Sequence, residues 1–268
     1  MITVTFVRHG ESVDNLRSVW AGWSDSPLSN HGMNQARALG ESFADTHLTI
    51  IYTSPLKRAQ MTATALRDAQ SEPKPPFVVS PLLKEQHFGA AEGRAWSIRQ
   101  DPNRTLEEHF ANGQYPVLYD RSQRFPAGES LDDLATRAAL VSHGLCISEM
   151  VAALVKRNHE GTPDTSYRGL RNTAWARVTI QFKGERAGEA MGLNEDDCPP
   201  LLVKVTDFNR HEHIDSVKRQ KGGIGRSAYD PKQQDIRDFF GGAAIKDPVE
   251  ALECSESNAA DEIALEKN

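Results

Sequence analysis

The chain has 268 residues, 38% of them hydrophobic and 25% charged, enough for a packed core and against wholesale disorder. The formal net charge of -6 excludes the strongly basic face a nucleic-acid surface needs, and no apolar run reaches the length of a membrane span. Cys146, Cys198 and Cys254 lie far apart and offer neither a disulfide framework nor a zinc spacing. Met1-Ile2-Thr3-Val4 reads as a strand and not as a secretory leader. These features predict a cytoplasmic protein without membrane or nucleic-acid partners. They also predict one domain over 1–245 and an acidic, disordered tail over 246–268.

In chain order, Ile2 to Val7 is a β-branched run that stops at the polar loop Arg8-His9-Gly10. Ser29 or Asn30 caps a helical pattern carried by Met33, Ala36, Leu39, Gly40 and Phe43. Leu48 to Tyr52 is a second strand. Ser54 as N-cap and Pro55 at the first helical position start the next helix. Phe77 to Ser80 is a third strand. Residues 85 to 128 lack a period and read as a long insertion beside a site. A short helix over Ser130 to Ala138, a fourth strand over Ala139 to Ser142 and a helix over Leu145 to Arg157 follow. Ala174 to Phe182 and Leu201 to Phe208 are later strands.

Strands alternating with helices predict an α/β fold, a mainly parallel central sheet covered on both faces. Ligands of such sheets gather at the carboxyl ends of the strands. That edge would collect His9 after the first strand, Ser54 and Arg58 after the second, and His143 after the fourth. The residue types suit phosphoryl transfer, which needs a nucleophile, positive charge around the equatorial oxygens and a proton for the leaving oxygen. A neutral imidazole at His9 can attack phosphorus. Arg8 and Arg58 can each bind two oxygens, and Arg58 lies where a helix dipole also favours an anion. His143 can add a donor. Glu85 can supply the proton if burial raises its pKa. The scheme needs no metal and no cofactor.

Arg8-His9-Gly10-Glu11-Ser12 with Asn15 resembles the signature of the histidine phosphatase superfamily, in its phosphoglycerate mutase-like branch. So do Gly22 and Asp25 before Pro27-Leu28, the block from Ser54 to Ala63, and Leu83 to Gly89 with Glu92-Gly93. Gly128-Glu129-Ser130 and Val141-Ser142-His143-Gly144 complete the likeness. The resemblance implies the three-layer α/β/α fold of that branch. It implies that His9 is the phosphorylated nucleophile, with Arg8, Arg58 and His143 as the phosphate pocket. Asn15 and Gly22 would contact substrate, and Glu85 would be general acid and then base. The partner would be a small phosphorylated substrate. A phosphomonoester hydrolase is expected over a phosphoglycerate-type mutase, because Gln86 and Phe88 stand where the glycolytic mutases carry an arginine-tyrosine pattern. A phospho-ligand-binding protein without catalysis is the third reading.

One departure stands out. Only Leu131 to Leu140 separates the Gly-Glu-Ser block from Val141, and a helix of that length spans about 13–14 Å. A parallel crossover usually needs more, which implies either a segment missing near 138–141 or a genuinely compact connection. Other signals carry less. His211-Glu212-His213 lacks a third convergent ligand for a metal. Lys218 to Gly225 is basic and glycine-rich but lacks a phosphate-loop ending, and reads as a flexible surface segment. Trp20, Trp23, Trp96 and Trp175 read as packing or pocket walls.

Overall fold

The computed structural model describes residues 1–137, 143–158, 165–182, 201–220 and 223–230. They belong to one compact unit, Met1–Tyr229, apart from the last of them. The expected fourth strand, the implied missing segment and the expected tail boundary at 245/246 lie outside the described residues.

Strand β1 (Ile2–Val7) is buried only at its carboxyl end, by Phe6 and Val7. Consecutive strand residues face opposite ways, so these two enter different clusters. Val7 packs with Leu39 and Phe43 of or beside α2 (Asn30–Ser42), with Ile51 of β2 (Ile51–Thr53), and with Ala63 and Leu66 of α3 (Lys57–Asp68). Phe6 packs with Leu134 of α5 (Leu131–Arg137) and with Cys146, Ile147, Met150 and Val151 of α6 (Gly144–Lys156). Each such side chain contributes about 1.5–3 kcal/mol when withdrawn from water. The end of β1 is therefore the best-anchored part of the strand, and the loop after it inherits that rigidity.

The strand pairing differs from the expected mainly parallel sheet. β1 pairs antiparallel with β4 (Trp175–Phe182), which pairs antiparallel with β5 (Leu201–Arg210). The parallel ladder among the described residues is β2 with β3 (Phe77–Val79). The two ladders are separate, and a cavity of about 1020 Å³ lies between β1 and the segment Leu48–Tyr52. The antiparallel register sets Val7 opposite Trp175, so β4 begins where β1 ends. The segment just before β4 is thereby delivered to the loop that carries His9.

Helix starts also differ from expectation. α3 begins at Lys57 after Leu56, not at Pro55, and Leu56 makes no side-chain cap bond. Asp25, 32 residues earlier, accepts the Lys57 N–H at 2.7 Å. A carboxylate makes a stronger, dipole-assisted cap than a serine hydroxyl, and Ser54 Oγ accepts the Leu56 N–H one residue earlier, at 3.3 Å. The short helix α1 (Val13–Arg17) escaped the period search, yet Ser12 and Asn15 form a reciprocal capping box at its start.

The insertion before α5 is more ordered than its sequence suggests. Trp20, Phe88, Phe110, Tyr115 and Phe125 form an aromatic cluster, and Thr105 with Glu108 caps α4 (Leu106–Ala111). A close backbone approach joins the two ends of this insertion. Glu129 donates its N–H to the His87 carbonyl at 2.7 Å, and its carboxylate accepts from the His87 N–H at 2.9 Å. Gly89 permits this contact. It has φ +53, and a Cβ there would lie 2.2 Å from the Pro126 carbonyl oxygen. Gly89→Ala is expected to destabilise the protein by about 1–3 kcal/mol, from left-handed strain and overpacking. Urea unfolding measures it; an unchanged midpoint would contradict the close approach.

Candidate active site

Two strand ends and two helix starts converge. The loop after β1 brings Arg8 and His9, the loop after β2 brings Ser54, the first turn of α3 brings Arg58, and the residue before α6 is His143. His9, Arg58 and His143 are 4%, 1% and 0% exposed, so these polar side chains are held inside the protein. The His9 and His143 rings meet edge-on with centroids 4.9 Å apart. His143 Nε2 lies 3.1 Å from Ser54 Oγ, which also accepts the Leu56 N–H.

The two guanidiniums are held by backbone carbonyls. Arg58 donates from Nη1 to the Ser24 carbonyl at 2.7 Å and from Nη2 to the Gly22 carbonyl at 2.8 Å. Arg8 donates from Nη1 to the Leu170 carbonyl. Their Nε atoms are buried without a hydrogen-bond partner among the described residues. Carbonyls satisfy donors without cancelling charge, so the site stays positive. Burial lowers both arginine pKa values, and the nearby Glu85 carboxylate opposes that. An anion in the site would remove the penalty.

His9 responds to this environment. Burial, then Arg58, then Arg8 hold its pKa well below the usual histidine range. Its Nδ1 lies 2.6 Å from the Gly10 carbonyl oxygen. A carbonyl only accepts, so Nδ1 carries the proton and Nε2 keeps a lone pair. The ring is a neutral base with a defined tautomer.

Glu85 lies after a short turn that follows β3. Burial pushes its carboxyl above the usual carboxylate range. N–H groups of Gln86 (3.0 Å) and Cys146 (3.2 Å), together with Arg58 and Arg8, act against that rise. The carboxyl thus sits at the amino end of α6.

The structure brings together Arg8, His9, Arg58, Glu85 and His143. Gly22 enters through its carbonyl, as a holder of Arg58. Asn15 is partly committed: its side-chain oxygen accepts from the Ser12 N–H at 3.0 Å and from Asn172 Nδ2 at 3.2 Å. Its NH2 group is the part left to meet a ligand.

Sequence reasoning missed the segment Leu170–Thr173. The His9 carbonyl accepts from the Thr173 N–H and from Asn172 Nδ2, both at 3.2 Å. Thr173 is fully buried at φ +57, a left-handed conformation costing a β-branched residue about 1–2 kcal/mol. Its hydroxyl donates to the Asn172 carbonyl at 2.7 Å and so accepts from His213 Nε2 at 3.0 Å. His211 Nε2 accepts from Arg171 at 2.7 Å. The His-Glu-His run braces this segment, and no metal-binding group of three such side chains occurs among the described residues. Only the β4 register could have signalled it.

The basic segment also has a task. Arg219 forms a two-pronged ion pair with Glu11, which accepts a further bond from Ser29 Oγ at 2.7 Å. Burial alone would raise the Glu11 pKa, but the bonds from Arg219 and Ser29 bring it below the usual range. Glu11 is thus a brace of the loop after β1.

A buried imidazole, two guanidiniums held by carbonyls and a desolvated carboxyl are thus gathered in one α/β protein. The chain belongs to the histidine phosphatase superfamily (branch 1), whose family model matches residues 4–189. It is 28% identical over 251 residues to a probable phosphatase of Schizosaccharomyces pombe, covering 88% of this chain and 79% of that one. It is 32% identical over 155 residues to a 2,3-bisphosphoglycerate-dependent phosphoglycerate mutase of Gloeobacter violaceus, covering 57% and 67%. Among solved structures, a mycobacterial glucosyl-3-phosphoglycerate phosphatase superposes with a TM-score of 0.58 at 21% identity, covering 78% of this chain and 99% of that one. An Entamoeba histolytica phosphoserine phosphatase superposes at 0.53 and 22%, covering 80% and 100%. These superpositions support the α/β fold, and no described helix is long and apolar enough to cross a membrane.

The His9 environment predicts a spectrum. In 15N-histidine NMR, His9 is expected as the neutral Nδ1–H tautomer at pH 6.5, where a free imidazole is about half protonated. Because its folded pKa is depressed, the unfolded chain binds the extra proton below about 6.5. Folding stability should therefore fall as pH drops through that value, and His9→Gln should flatten the slope. A His9 titration near 6.5 would contradict the buried cation field.

Proposed function

We propose that the protein is a metal-independent phosphomonoesterase working through a phosphohistidine on His9. The observation that carries this reading is the neutral His9 imidazole lying in the field of two buried guanidiniums whose charges no bonded carboxylate cancels. A phosphate dianion fits that field. Arg8 and Arg58 take its equatorial oxygens, with His143 and the Asn15 NH2 as further donors. His9 Nε2 attacks phosphorus as the ester P–O bond breaks, and the leaving oxygen takes the Glu85 proton. Water, deprotonated by Glu85, then cleaves the phosphorus–nitrogen bond and restores His9.

Substrate binding itself prepares the acid. The two arginines are among the influences that hold the Glu85 pKa down. A bound dianion offsets their charge, so the carboxyl rises and takes up its proton when the leaving group needs it. The similarity to proteins named as phosphatases and as phosphoglycerate mutases supports phosphorylated small molecules as the substrate class.

The test is turnover of p-nitrophenyl phosphate and of 3-phosphoglycerate, following free phosphate and 2-phosphoglycerate. Phosphate release is expected from the aryl ester, with loss of at least about 10³-fold in His9→Ala. Brief exposure to substrate should leave an acid-labile, base-stable phosphate on His9. Isomerisation without phosphate release would make the protein a mutase. A folded protein that turns over neither compound would make it a binding protein, and activity surviving His9→Ala would refute the mechanism.

A further inference from the structure

The turn Gly22-Trp23-Ser24 touches both halves of the site. Its first and third residues offer the carbonyls that hold Arg58, at 2.8 and 2.7 Å. Its middle residue donates the indole Nε1–H to the Glu85 carbonyl at 2.8 Å. Three consecutive residues thus grip the phosphate-binding guanidinium and the backbone of the proton-donating residue.

A second connection makes the link rigid. Glu92 Oε1 accepts from the Trp23 N–H at 2.8 Å and from the Phe88 N–H at 3.2 Å. The turn is therefore fastened to the 85–88 segment at two points, one on each side of His87. Gly22 makes this possible: it has φ +50, and a Cβ there would lie 2.3 Å from that same carboxylate oxygen. The indole is itself held. The His87 ring packs at 4.5 Å between centroids, and the Lys84 ammonium lies 4.0 Å from the ring. Trp23 is 36% exposed, an unusual place for tryptophan unless its N–H has a task.

We propose that Trp23 is a positioning residue for Glu85: through its indole N–H it fixes the proton donor at a set distance from Arg58, and so from the leaving oxygen of a phosphate bound there. This rests on the reading of Glu85 as general acid. It makes Trp23 specific to one step. Protonation of the leaving group matters for an alkoxide and little for a nitrophenolate, which departs unprotonated.

The test compares kcat/KM for glycerol 3-phosphate and p-nitrophenyl phosphate in wild type, Trp23→Phe and Glu85→Gln. The phenylalanine keeps the aromatic packing and loses the N–H. Trp23→Phe is expected to lose about tenfold on the alkyl ester, part of the 10²–10⁴-fold that a general acid supplies, and less than about threefold on the aryl ester. Inhibition by inorganic phosphate should be unchanged, because the carbonyls of Gly22 and Ser24 still hold Arg58; this also reports that the variant is folded. Glu85→Gln should show the same preference for the good leaving group, more strongly. Equal losses on both esters in Trp23→Phe, or no loss on either, would overturn the proposal while the Glu85→Gln result stood. If Glu85→Gln itself showed no dependence on leaving group, the general-acid reading would fall and the Trp23 proposal with it. A raised KM for both esters and weaker phosphate inhibition would instead make Trp23 a wall of the binding site.

Discussion

Two buried guanidiniums held by peptide carbonyls are the constraint on which the rest depends. Arg58 rests on Gly22 and Ser24, Arg8 on Leu170, and neither leans on a bonded carboxylate. A carboxylate partner would make the pocket cheaper to fold and useless for an anion. Carbonyls accept from the Nη groups and leave the charge in place. Burial first, and then that residual charge, hold the His9 pKa down, and the same charge acts on Glu85, so one arrangement bears on both groups.

Such a site is costly, and the surrounding structure has to hold it. Burying a cation without a counter-ion favours any rearrangement that lets water in. The end of β1 resists this by anchoring Phe6 and Val7 in clusters on its two faces. The register of β1 with β4 resists it again, by setting Leu170 and Thr173 against Arg8 and His9. Thr173 accepts a left-handed backbone to reach the His9 carbonyl, and His213 helps to keep it there. Arg219, from still later in the chain, braces Glu11 on the same loop. Strain and buried charge are thus concentrated at one edge, with contributions from across the described chain.

What the sequence made legible follows from which interactions are local. The helices α2 and α6 were readable from caps and apolar period, and β1, β2 and β3 from short apolar runs. The residues Arg8, His9, Arg58, Glu85 and His143 were readable because the chemistry demands their types at strand ends. Contacts fixed by tertiary packing were not readable. At the start of α3 the local Ser54 holds the Leu56 N–H, as its position suggests, while the Lys57 N–H is held by the distant Asp25 carboxylate. The antiparallel pairing of β4 with β1 carries no local mark, so Asn172 and Thr173 stayed hidden. His211 and His213 had no role in the sequence reading beyond a metal site short of a third ligand, and they are hydrogen-bond partners of the segment that braces His9. Lys218 to Gly225 looked like loose surface, because a single arginine's partner 208 positions away cannot be seen in composition.

The short connection before His143 raised the question of whether this histidine could reach the site at all. What holds it comes after it in sequence. His143 accepts the Ile147 N–H at 2.9 Å as the cap residue of α6. Ile147, Met150 and Val151 then lock that helix into the Phe6 cluster. On its other side the ring meets Ser54 at 3.1 Å and the edge of His9. The Cys146 N–H, one turn into the same helix, reaches Glu85. Placement of His143 and of the Glu85 carboxyl is therefore one problem with one solution, the docking of α6. A shift of α6 would therefore displace His143 and release the Glu85 carboxyl at the same time.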